Sequence, residues 1–144
     1  MAAACLAVIA LYFTMKQIKH QVAQTKYQAG AFYIGRYWAI DDDLLLTDEE
    51  SDDHRKHQFR YLRLCEDEFE AALHEWLDLS QWKVWHDEVF GTADFAARAE
   101  ADFANCLPRP ESDDFRWVRL CTTHTRDYGD HKWEHCAARE EMPK

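Results

Sequence analysis

The side chains with the clearest capacity for chemistry lie near the end of the chain: Cys121, His124, His131, His135 and Cys136. On a helix, His131 and His135 stand at i and i+4 and share a face; Cys121 and His124, at i and i+3, do the same. Two such pairs could close a tetrahedral zinc site from Cys121, His124, His131 and His135, because thiolate sulfur and imidazole nitrogen are the ligands zinc prefers. The spacing matches none of the common zinc fingers, and four-residue His pairs arise by chance in a chain with eight histidines. Read without a metal, the same residues are exposed titratable groups on a terminal helix.

A second group is His86-Asp87 in the segment VWHDEVFG, with His57 upstream and Asp127 or Asp130 downstream. That order faintly resembles the metal-dependent phosphohydrolases named for their His-Asp motif, which are also all-helical. Here the dipeptide is flanked by Trp85 and Glu88 rather than by a small apolar run, and the chain is short for that fold. His74-Glu75 lacks the second His of a zincin, since Asp78 stands four residues on. Glu66, Asp67, Glu68 and Glu70 lack the Glu-x-x-His spacing of di-iron bundles and read as the solvated side of a helix. No Gly-rich phosphate loop or nucleophile elbow is present, and no H-E-x-x-H. The expectation is a protein without catalytic activity and without a cofactor.

These residues must be positioned by helices. Four Gly and three Pro in 144 residues are too few for the turns of a sandwich or barrel. Phe59, Leu62, Cys65, Phe69, Leu73 and Trp76 recur at spacings of 3 and 4, the pattern of one apolar helix face, and Ser51 or Asp52 can cap that helix. Ser80 can start a shorter helix carrying Trp82, Trp85 and Val89, which Gly91 stops. Thr92 caps a further segment with Phe95, Ala99 and Phe103. Pro108 and Pro110 then break the chain before a helix over about 112–127, with Phe115, Val118 and Cys121, and a terminal segment around Trp133. The prediction is an all-α fold: an N-terminal membrane or stalk helix followed by a small antiparallel helical bundle.

The start of the chain is different in kind. Residues 1–15, MAAACLAVIALYFTM, carry Thr14 as their only polar side chain. Fifteen helical residues rise about 22 Å, short of a hydrocarbon core of about 30 Å. Ile18 extends the apolar face, Lys16 and Lys19 can snorkel, and bilayers thin around short helices. A signal peptide would need a positive leading region and small residues at its end, where Phe13, Thr14 and Met15 stand instead. The competing reading is a buried or interface helix. Taken as a transmembrane anchor, residues 1–15 lead into a basic helical stalk over 16–40, whose aromatic residues Phe32, Tyr33, Tyr37 and Trp38 pack on an acidic domain over 41–144. All nearby positive charge follows the apolar run, which places the body in the cytoplasm.

Charge separates the same regions. Residues 1–40 hold four bases and no acid, whereas residues 41–144 hold 27 acids against 13 bases, a net of −14. A body so acidic repels phosphate backbones, so nucleic acid is not an expected partner. Eight acids in residues 41–53 lack the glycine and terminal glutamate of a calcium loop and read as a solvated connection or an acidic first turn. Five widely spread cysteines suit free thiols in a reducing compartment better than a disulfide scaffold.

Over residues 61–89, YLRLCEDEFEAALHEWLDLSQWKVWHDEV, the chain resembles a loose group of uncharacterised bacterial single-pass proteins. These have one membrane helix, a Gln- and Lys-containing stalk and a small helical cytoplasmic domain. Their long helix with an acidic middle corresponds to Cys65 to Glu70, their turn to Leu77 to Ser80, and their Trp-x-x-Trp helix to Trp82 and Trp85. The likeness departs at Glu75, where a small residue would be expected, and does not extend past Gly91. It implies architecture, with the protein held in the inner membrane, and no activity. The expected role is a non-catalytic, membrane-tethered interaction module whose partner is another protein or itself. The alternative is a small metal-binding or metal-dependent protein using the C-terminal His/Cys group or His86-Asp87.

Overall fold

The computed structural model describes residues 2–111, 114–130 and 132–137, with the backbone alone for residues 2–6, 8 and 137. Every regular element among them is helical: α1 (Ala2–Leu46), α2 (Asp52–Leu73), α3 (Leu79–Trp85), α4 (Ala93–Asn105), α5 (Arg116–Tyr128) and α6 (Trp133–Ala137). Between α3 and α4, residues His86–Phe90 form a single π-helical turn that continues α3. The all-α expectation holds.

The helix α2 sits at the centre, packed against α1, α4 and α5, while α4 and α5 pack on each other. Ser51 caps it as anticipated, its hydroxyl accepting from the His54 N–H at 3.1 Å. Leu62, Cys65 and Phe69 of the expected face are buried, and Phe59 and Leu73 are packed against the core. Trp76 is not part of that face. The helix ends at Leu73, Glu75 takes a left-handed conformation (φ 56°), and the Trp76 ring is left exposed, stacked on His74. The turn breaks the 3.6-residue period one step before Trp76 could use it.

The remaining caps follow the sequence closely. Thr92 accepts from Phe95 N–H to start α4. Asp78 rather than Ser80 starts α3, its carboxylate accepting from the Ser80 and Gln81 N–H groups. Gly129, at φ 79°, ends α5 in a conformation that β-carbon sterics disfavour in other residues, and its N–H reaches the Thr125 carbonyl at 2.7 Å.

The first helix is longer than the expected stalk and does not break near Trp38 or residue 40. It runs for 45 residues, about 68 Å at 1.5 Å per residue, and absorbs Asp41, Asp42 and Asp43 into its last turns. Its final third belongs to the body: Tyr37, Ile40 and Leu44 are buried, and Tyr37 lies edge-on to Trp85 at 5.2 Å. Arg98 of α4 bonds Asp41 at 3.0 Å and stacks on Tyr61 of α2 at 4.3 Å, fastening α1 to two other helices. Of the aromatic cluster expected to pack, Tyr37 is buried and Tyr33 partly so, whereas Phe32 and Trp38 remain exposed.

The other end of α1 is an arm. Every side chain described from residue 7 to residue 25 is exposed. The apolar run expected as an anchor is the start of this arm. Among the described residues, no helix is long and apolar enough to cross a membrane.

Candidate functional site

The π-turn carries the centre of the site. Gly91 N–H bonds the His86 carbonyl at 2.8 Å, an i to i+5 link that widens the helix by one residue. The wider turn lets His86 and Phe90 both point inward, each fully buried. His86 lies edge-on to Phe69 at 5.7 Å and to Trp133 at 5.4 Å. An imidazole in such a wall of rings needs its nitrogens satisfied.

One nitrogen is satisfied by the next residue. His86 Nδ1 lies 3.1 Å from Asp87 Oδ1. A carboxylate oxygen only accepts, so Nδ1 carries the proton and Nε2 is left as the lone-pair nitrogen. The same Asp87 oxygen accepts from the Trp133 N–H at 2.8 Å, so one carboxylate orients the ring and holds the start of α6.

The Nε2 side faces sulfur. Cys121 Sγ of α5 is 3.9 Å away, and Cys136 of α6 joins them. The three potential ligand atoms of His86, Cys121 and Cys136 all lie within 4.8 Å of one another, and all three residues are buried. Cys121 also donates to the Phe90 carbonyl at 3.2 Å. Its thiol is held well above the ordinary range, first by its contact with Cys136 and then by burial. Two thiols and an imidazole so arranged can hold a thiophilic cation.

The chain matches no family model, no curated protein and no solved structure.

The geometry therefore carries the functional argument alone, and it draws on both groups singled out in the sequence. From the C-terminal group it takes Cys121 and Cys136; from the other it takes His86 with its Asp87 support. His124 and His135 lie beside one another instead, ring centroids 5.9 Å apart, and are not in the three-ligand cluster. His131 lies outside the described residues. The phosphohydrolase-like set does not assemble, since its members have separate partners: His57 with Asp43 at 3.6 Å, Asp127 with Arg126 at 3.4 Å, and Asp130 with the Ala93 N–H at 2.9 Å.

Two functional-looking carboxyls escaped the sequence reading. Glu66 and Glu68, expected on the solvated side of α2, are buried. Glu66 accepts from the Trp117 and Val118 N–H groups, both at 2.9 Å. It thereby caps α5, whose own N-cap residue, Phe115, is left-handed (φ 59°) and turns its ring into the core. A carboxylate at a helix N-terminus meets unsatisfied donors and a favourable dipole.

Glu68 has no such partner. With Trp82 and Trp85 it lines a cavity of about 40 Å³ against Tyr33 and Gly30 of α1. The carboxyl oxygens and both indole N–H groups make no hydrogen bond of acceptable geometry among the described residues. Burial pushes the Glu68 carboxyl up to about 8, with Trp85 close enough to draw it back slightly. At neutral pH it is held mostly protonated. No period or spacing in the sequence distinguishes it from Asp67 or Glu70, because the contact that buries it comes from α1 and α3.

Proposed function

We propose that this protein is a non-catalytic, membrane-tethered module whose arm sits in lipid and whose helical body meets a protein partner on the cytoplasmic side. The observation that carries this reading is the bare apolar arm. Ile9, Leu11, Tyr12, Phe13, Met15, Ile18 and Val22 are each 50–64% exposed on a stretch of helix that the body does not cover. A stretch apolar around its whole circumference is characteristic of helices surrounded by hydrocarbon or by protein, not by water. Fourteen residues, Ala2 to Met15, rise about 21 Å, so the arm enters the bilayer without matching its full thickness of about 30 Å. Lys16 and Lys19 then lie at headgroup level, and the basic flank orients the acidic body toward the cytoplasm.

The test is fractionation of cells expressing the full chain, with an alkaline wash of the membranes and protease added from either side. Retention in the washed pellet is expected, with the body cut only from the cytoplasmic side. A variant lacking residues 2–15 should appear in the supernatant with its body fold intact. Recovery of the full chain in the supernatant would overturn the tether and leave the arm as a protein-binding helix.

A further inference from the structure

We propose that His86, Cys121 and Cys136 bind a zinc ion that ties α6 and the π-turn to α5. This site is independent of the membrane-tethered reading and would stand if that reading failed.

The separations suit the ion. Zinc bonds of about 2.3 Å to sulfur and about 2.05 Å to nitrogen, at a tetrahedral angle, place the two ligand atoms about 3.6 Å apart. His86 Nε2 and Cys121 Sγ stand at 3.9 Å, so that pair lies within a few tenths of an ångström of its metal-bound separation. The Cys136 sulfur is already within 4.8 Å of both. The ring is also aimed. Asp87 accepts from Nδ1 and presents Nε2 to the sulfurs, the carboxylate–histidine–metal arrangement that fixes tautomer and raises ligand basicity.

Charge favours the assembly as well. Two thiolates neutralise the dication, so the loaded site carries no net charge into a core lined by Phe69, Phe90 and Trp133. Loading is a ligand exchange: each thiol releases one proton to solvent, and two thiolates and Nε2 donate lone pairs to zinc. A water oxygen fills the fourth position. No atom changes oxidation state. The structural consequence falls on α6. Its five residues are too short to persist as a helix by themselves, and Cys136 gives it a bond to the body beside the Asp87 contact at Trp133.

The full-length protein, prepared under reductant and in lipid or detergent where it partitions there, is depleted with chelator and reloaded with zinc. One tightly held zinc per chain is expected, with release of about two protons on reloading at neutral pH. X-ray absorption of the zinc-loaded wild type should show two sulfur neighbours at about 2.3 Å and a nitrogen at about 2.0–2.1 Å. Cys136→Ser and Cys121→Ser should abolish tight binding, and Asp87→Asn should weaken it by roughly 10–100-fold. Cys106→Ser should leave it unchanged, because that thiol bonds the Pro108 carbonyl outside the cluster. The absorption measurement needs no variant and so is immune to misfolding of the substitutions. A folded wild type that retains no zinc would overturn the site, as would a shell of nitrogen and oxygen alone. So would an intact mass two hydrogens lighter, with Cys121 and Cys136 recovered as a disulfide-linked peptide pair.

Discussion

The arm of α1 and the body of the protein invert each other. The arm holds apolar side chains in the open, while the body encloses three carboxyls, two imidazoles and several thiols. Both arrangements are costly in water, but they are stabilised differently. In the body several of these groups have a specific neighbour: Glu66 has the N-terminus of α5, His86 has Asp87, and Cys121 has the Phe90 carbonyl, whereas Glu68 is held neutral by its burial. The arm has no neighbour within the chain. The difference separates a body held by its internal contacts from an arm whose described side chains are exposed.

That contrast can be broken first in the core. Phe69 touches Trp82, His86, Phe90 and Trp133, so Phe69→Ala should remove the common wall of the site. A loss of about 3–5 kcal/mol is expected, read as a lower urea midpoint. Unchanged stability would mean that this core is not what holds the body together.

Glu68 gives an effect of similar size with a distinctive pH dependence. Its carboxyl is raised from an ordinary value of 4.5 to about 8, so between those values the unfolded chain is the one that ionises. The Glu68 contribution to stability is therefore fully present below about pH 4.5 and is lost as pH rises toward 8, by at most about 1.4 kcal/mol per unit, or roughly 3–4 kcal/mol between pH 5 and pH 8. Glu68→Gln should flatten that slope and be more stable than the parent at pH 8. Parallel urea titrations of the two proteins from pH 5 to pH 8 decide it; equal slopes would place Glu68 in water.

Glu66→Ala removes the acceptor of the Trp117 and Val118 N–H groups, the second of them buried, and should cost about 2 kcal/mol, with α5 the first helix to lose amide-exchange protection. Smallest of all is the change in the arm. Leu11→Ser with Phe13→Ser should leave the body's urea midpoint within about 0.5 kcal/mol of the parent, since those side chains touch nothing it buries. The same pair should release the protein from alkaline-washed membranes. A large stability loss without release would show that the arm folds back onto the body.

Much of this organisation was legible from local pattern. The recurrence of Leu62, Cys65 and Phe69 marked the inward face of α2, and Ser51, Thr92 and the prolines after Cys106 marked where helices begin and end. These features depend on neighbours three or four residues away, which sequence displays directly. Trp76 misled because a left-handed residue at Glu75 ends the period, and nothing about a glutamate announces that conformation. Glu66 and Glu68 misled because an acid in a run of acids looks solvated wherever it stands.

The sequence by itself determined the helices, the lack of catalytic motifs, the split between a basic apolar beginning and an acidic body, and the separate candidacy of His86-Asp87 and the C-terminal cysteines. Only tertiary structure decided which of those candidates meet. His86 lies 35 residues from Cys121, and their approach depends on how α3 and its π-turn dock against α5. Other crossings gave Glu66 of α2 to the N-terminus of α5 across 52 residues and sealed Glu68 beneath α1 and α3. Helical periodicity reports which face of a helix is apolar; it carries no record of which other helix will cover that face, and the chemistry of this protein lies at those crossings.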